Sequence, residues 1–199
     1  MPNLQTAYQY VIDACNWPYL GYSQAQNRTI DINSTEITYC DCASLMSKAM
    51  TEAGYFTTNP WFWTYNQPEY MLAAGWVEQD LYGEWKPGDI LHFRVGGISG
   101  HGHTEMIYSG GIARGVTMGA HGVNGRTFQD QVSIRNTPST PASGNWQHLY
   151  RAPDGEVTPY DPGSPIQPNP GDPGLPTNSQ YAAMIIDELM RRLVIPGRH

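Results

Sequence analysis

Over residues 1–152 of this chain helical periodicity comes first, and strand character follows it. Residues 4–16, LQTAYQYVIDACN, place Leu4, Ala7, Tyr8, Val11, Ile12 and Cys15 on one stripe at helical spacing. A second run from Cys42 to Glu52 carries Leu45, Met46, Ala49 and Met50 and stops at Gly54. From Trp85 onward the pattern changes. WKPGDILHF is a Pro-Gly-Asp turn opening a strand, and HTEMIYSGG is another strand ending in a turn. Shorter strands are expected around Gly115–Ala120, Gln131–Arg135 and Trp146–Ala152. Residues 17–38 read as loop, and NPWFWTYNQPEYMLAAGW reads as an aromatic-rich loop with a short helix from about Pro68 to Ala74. Helices first and strands second predict an α+β fold, with N-terminal helices packed on a small antiparallel sheet.

Composition bounds this folded part. Residues 153–176 hold eight prolines and four glycines, which predicts an extended linker without a core. The expected organisation is a domain over 1–152, a Pro/Gly-rich linker over 153–177 and an amphipathic helix over 178–199. A lone helix this short is marginal in water, so it is expected to dock on a partner chain, on the domain or on a copy of itself. A net charge of −7 with no Lys/Arg cluster argues against nucleic acid and anionic membranes as partners. No apolar run approaches the roughly 18 residues of a membrane span. The opening MPNLQTAYQY has neither the basic region nor the apolar core of a signal peptide. A target outside the membrane would then require another means of delivery.

The chemistry concentrates in YCDCASLMSKAM. Three cysteines cannot build a disulfide framework, Cys40 and Cys42 are too close to bridge without strain, and no CxxC pair is present. Cys15 belongs to the apolar stripe of the first helix and reads as a core thiol. Cys42 differs, because Asp41 is a good N-cap and places Cys42 in the first helical turn. Unpaired N–H groups and the helix dipole favour a thiolate there, and the same groups could hold an oxyanion. A thiolate needs a base. His101 and His103 lie where glycines give way to an apolar strand, and His121 closes the next strand segment. His103 could project from the sheet edge, with His121 fixing its tautomer and orientation.

These motifs resemble the NlpC/P60 cysteine peptidases and related phage peptidoglycan amidases. Asp41-Cys42-Ala43-Ser44-Leu45 looks like their DCSxL nucleophile motif, with Ala43 in place of the usual serine. KPGDILHF resembles their PGD turn and strand, and GHGHTEMIYSGG the strand carrying the base. The motifs occur in the same order over roughly residues 4–152. The resemblance implies a papain-like NlpC/P60-type fold, with Cys42 as nucleophile, His103 as base and His121 as the orienting third residue. Asn124 is the alternative, because the spacing of 18 between the two histidines is long. Tyr39 falls where related enzymes often carry a cleft tyrosine. Asp41 is grouped with it as a substrate contact. Glu105 shares a strand face with His103 and could bind a substrate amine, raise the pKa of His103 or point to solvent, with the substrate side preferred. Trp61, Trp63 and Tyr65 could wall a groove or plug a loop, and Asp89 reads as a turn residue.

The implied activity is hydrolysis of an amide in the peptidoglycan stem or cross-bridge, without metal or other cofactor. The partner is bacterial peptidoglycan. The implied setting is a phage lysin, released from the host cytoplasm through a holin pore or carried on the virion. The N-acetylmuramoyl-L-alanine amidase reaction is the alternative cut. Rival readings are a zinc hydrolase using His101, His103 and His121, a non-catalytic virion or tail protein, and another thiol enzyme such as an acyltransferase.

Overall fold

The computed structural model describes residues 1–95 and 100–159. The helix of the first apolar stripe, α1 (Leu4–Asn16), is capped by the Asn3 side chain, which accepts from Thr6 N–H. The second, α2 (Cys42–Glu52), runs between its Asp41 cap and Gly54, whose φ of 81° ends the helix in the left-handed region. A third, α3 (Gln67–Ala73), starts one residue earlier than expected, with Pro68 in its first turn, where the missing N–H costs nothing.

The main sheet has six strands in the order β3-β8-β4-β5-β6-β7, all paired antiparallel. They are β3 (Val77–Gln79), β4 (Ile90–Val95), β5 (His101–Gly111), β6 (Arg114–Ala120), β7 (Val132–Ile134) and β8 (His148–Arg151). The α+β class with an antiparallel sheet is therefore as the order of patterns predicts. Residues 17–38, expected as loop, hold one strand and the first residue of another. β1 (Leu20–Tyr22) pairs in parallel with β2 (Thr38–Cys40), a non-local pairing of three-residue segments too short to show a period. β3, with its outward Val77 and Glu78, was missed for the same reason.

Strand alternation supplies two apolar clusters. Ile90, Met106, Met118 and Tyr150 join Tyr8, Val11, Leu45, Met46 and Met50 of the helices in the larger one. Leu91, Ile107 and Leu149 join Trp85 and Trp146 in the smaller. The packed body also runs past residue 152, the expected boundary. Asp154 accepts from Leu4 N–H at 3.0 Å and from the Tyr55 hydroxyl, Thr158 N–H donates to Gln5, and Val157 is buried. Local composition could not show that this Pro/Gly-rich start has partners on α1. The remainder of the expected linker and the helix at 178–199 lie outside the described residues.

The β5–β6 hairpin is tightly packed at its turn end. A Cβ at Gly110 would overlap the backbone carbonyl of Trp85, which cannot swing aside. Gly110→Ala is therefore expected to destabilise the protein by about 1–3 kcal/mol. At about 2–4 °C per kcal/mol for a body this size, thermal unfolding followed by circular dichroism will register the loss. An unchanged melting temperature would refute this reading of the hairpin.

Candidate active site

Cys42 is the first helical residue of α2 because Asp41 closes a capping box in front of it. One Asp41 carboxylate oxygen accepts from Ser44 N–H at 2.7 Å, and Ser44 Oγ accepts from Asp41 N–H at 2.8 Å. The other carboxylate oxygen accepts from the Asn27 side-chain amide. Both oxygens are thus engaged in the cap and with Asn27, and Asp41 also lines the cleft beside Cys42. The cap satisfies Ser44 N–H, and Leu45 N–H returns to the Asp41 carbonyl. The N–H groups of Cys42 and Ala43 have no acceptor within the helix. They belong to the residue that carries the sulfur and its neighbour.

Cys42 lines a cleft of about 380 Å³ together with Tyr22, Ala43, Trp63, Thr64, Tyr65, Arg94 and His101. The residue is only 7% exposed, so a reagent must enter the cleft to reach it. α2 packs on β5 and β6, and this brings the start of the helix to His103. The His103 ring lies close enough to the Cys42 sulfur for the two to interact electrostatically. Its Nε2 lies 2.7 Å from Glu105 Oε1, which leaves Nδ1 for the sulfur. Trp146 stacks on the imidazole with centroids 5.8 Å apart, and Phe93 meets it edge-on. Burial works against a charged ring, but the Cys42 sulfur and the Glu105 carboxylate outweigh it and raise the His103 pKa to about 10.

Glu105 is where sequence and structure part. Expected on the substrate side, it is fully buried. Besides His103 it receives Nδ1 of His121 at 2.8 Å and the Arg135 guanidinium, whose Nε lies 2.9 Å from Oε2. Burial alone would favour the neutral acid, yet hydrogen bonds from His103, His121 and Arg135 hold its pKa well below the usual carboxylate range. Glu105 thus holds the orienting position that His121 was expected to fill. His121 stands behind it, with Nε2 2.8 Å from the Ser133 carbonyl.

The spacing of 18 that made His121 doubtful is a consequence of hairpin length. Met106 pairs with Met118 and Ile107 with Thr117, and that register sets His103 opposite His121 with ring centroids 6.2 Å apart. Gly119 opposes Glu105, and even a Cβ there would press to 3.3 Å from the Glu105 Cγ. Asn124 lies exposed in the following loop, outside this network.

The aromatic candidates separate. Trp63 and Tyr65 line the cleft, with Arg28 4.8 Å above the Trp63 ring. Trp61 does not; it packs on the main cluster with a left-handed backbone (φ 47°) and accepts from Arg28 through its carbonyl. Tyr39 is outside the cleft lining too, its ring against Gly21. The cleft tyrosine is Tyr22, whose hydroxyl pKa is pushed up to about 12 by burial and by the neighbouring Cys42 and Asp41. Nothing local marks it, because β1 reaches the site only by pairing with β2. Asp89 accepts from Lys86 N–H in its turn and pairs with Arg151. His92 is buried against the Thr64 carbonyl, with a pKa lowered to about 4 mainly by burial.

His103, Glu105 and His121 present ligand atoms within 4.8 Å of one another, a spacing that could suit a metal ion. The Arg135 guanidinium already occupies the carboxylate they would share, and one cation there opposes a second. Cysteine 15 packs against the main cluster, and burial raises both its thiol and that of Cys40. Neither faces the cleft lining. No helix among the described residues is long and apolar enough to cross a membrane. No protein-family model matches the chain, and neither the curated proteins nor the solved structures searched gave a match.

Proposed function

We propose that this protein is a cysteine hydrolase that cleaves an amide bond of peptidoglycan. The observation that carries the reading is the placement of His103 beside the Cys42 sulfur and in hydrogen-bond contact with the buried Glu105 carboxylate. A thiol at a helix start, a histidine on it and a carboxylate behind the histidine form the arrangement that acyl transfer requires. The NlpC/P60-like motifs supply the substrate class and the papain-like assignment of the fold.

In this mechanism the Cys42 thiolate attacks the amide carbonyl, and the N–H groups of Cys42 and Ala43 hold the oxyanion. The His103 imidazolium gives its proton to the leaving amine, and a thioester remains on Cys42. Water, deprotonated by His103, then releases the acid and regenerates the thiolate. Glu105 keeps His103 oriented through both halves. A peptide bond in the stem or cross-bridge is the preferred cut, ahead of the muramoyl–alanine amide. Delivery fits a phage lysin, either released from the host cytoplasm through a holin or carried on the virion. The zinc alternative loses support from Arg135 on the shared carboxylate, and a non-catalytic virion protein has no use for a paired Cys42 and His103.

Purified Gram-positive peptidoglycan incubated with the protein is expected to release new termini, identified by mass spectrometry, and alkylation is expected to stop the release. The termini decide between endopeptidase and amidase. Activity that survives alkylation but is lost to a chelator would refute the thiol mechanism. Activity should also fall on the alkaline side with a midpoint near the His103 pKa of about 10, because the imidazolium that protonates the leaving amine is lost there. A kcat/KM profile still rising well above that pH would contradict the assignment of His103 as the acid.

A further inference from the structure

We infer that Arg135 and His121 are positioning residues, which hold Glu105 ionised and in place so that His103 can form an ion pair with Cys42. The inference rests on the Cys-His reading above, but not on the identity of the substrate.

A carboxylate with no exposed surface is costly in ionised form unless cations and donors surround it. Glu105 receives all its described partners from three residues. His103 comes from its own strand, His121 from beyond β6, and Arg135 from beyond β7. Of the three, His103 is the one that interacts with the Cys42 sulfur. The other two are anchored independently of the cleft. Arg135 N–H donates to the Thr117 carbonyl at 2.8 Å, and His121 N–H donates to the Gln131 carbonyl at 2.7 Å. Its ring Nε2 meets the Ser133 carbonyl. The two therefore approach Glu105 from a fixed frame on its far side, and Gly119 keeps the space between the strands clear for the carboxylate. The other titratable group recorded near Glu105 is the Cys15 thiol, which burial keeps neutral.

Removing the guanidinium changes where the proton rests. A buried carboxylate stripped of its cation takes the proton from the neighbouring imidazolium, and neutral His103 then returns Cys42 to the thiol form. The balance is one proton gained from solvent. The Nε2 proton of His103 passes to a Glu105 oxygen, Nδ1 keeps its hydrogen, and the sulfur, no longer beside an imidazolium, takes a proton from water. Carboxylate, imidazolium and thiolate thus become acid, imidazole and thiol. Arg135 would thus set the reactivity of a sulfur it does not touch. Its side chain is about a third exposed, so replacement need not open the core.

The test is the rate of Cys42 alkylation by iodoacetamide at neutral pH, read by mass spectrometry on the intact chain, for the wild type and for Arg135→Gln, Arg135→Lys and His121→Gln. Circular dichroism establishes that each is folded. Arg135→Gln is expected to slow alkylation about tenfold or more, the effect of one unit in the proton equilibrium. Arg135→Lys should recover part of the rate, because it restores the charge without the two-pronged geometry. His121→Gln should fall between them. Folded Arg135→Gln protein alkylated at the wild-type rate would overturn the inference. If Arg135→Gln does not fold, an Arg135→Lys protein indistinguishable from wild type in rate would overturn it equally. Alkylation needs no wall substrate, so a protein inert on peptidoglycan but obeying this pattern would refute the proposed substrate and leave the coupling intact.

Discussion

Cys42→Ala is expected to lower amide hydrolysis by about 10⁴-fold or more while leaving the fold in place. In the proposed mechanism the thioester forms on this sulfur, and neither His103 nor the helix N–H groups can substitute for it. Loss of one buried sulfur atom at the cleft floor leaves a small cavity, worth about 1 kcal/mol. Melting should therefore shift by only a few degrees. The variant also removes the anion beside His103, so the imidazole pKa should move down from about 10, a change visible in its NMR titration. Wall digestion by Cys42→Ala at a rate near that of wild type would eliminate the thiol mechanism whatever the fold does.

Glu105→Ala has the larger structural consequence. It leaves the Arg135 guanidinium and two imidazoles facing a void, and breaking a buried ion pair from one side costs about 3–5 kcal/mol. Glu105→Gln keeps the volume and isolates the charge. It is expected to melt closer to wild type and to lose about 10²–10⁴-fold in kcat with KM little changed. A substrate-side Glu105, as sequence alternation first suggested, would instead raise KM. The pH dependence of stability gives a second check. The carboxyl pKa is depressed in the fold, so its contribution to stability is fully present above its ordinary value near 4.5 and is lost only as pH falls through the depressed one. Between those two values wild type should lose stability on acidification through this group, and Glu105→Gln should not show that component. Identical acid-unfolding profiles would contradict the ionised state assigned to Glu105.

Much of this was legible before any fold was known. α1 and α2 declare themselves through apolar stripes and through Asn3, Asp41 and Gly54, all local devices that act within one or two turns. β4 and β5 follow from the PGD turn and an apolar run. β1, β2 and β3 could not be read, since three residues carry no usable period and their partners lie far off in sequence. The extra packed stretch at 153–158 was hidden for a related reason. Its Pro/Gly-rich composition is that of a linker, and only the docking of Asp154 and Val157 makes it part of the body.

The site divides along the same line. That Cys42 sits at a helix start, and that His103 and Glu105 share one face of a strand, is determined by the sequence alone, because capping and strand alternation are set by neighbours in the chain. Which groups stand around Glu105 is not. His121 and Arg135 arrive through the register of β5 with β6 and of β6 with β7, and Tyr22 arrives through a parallel pair. Register is set by how whole strands bury their faces against the helices, a sum over many distant contacts. For that reason only the tertiary structure shows that Glu105, and not His121, stands in hydrogen-bond contact with the His103 ring.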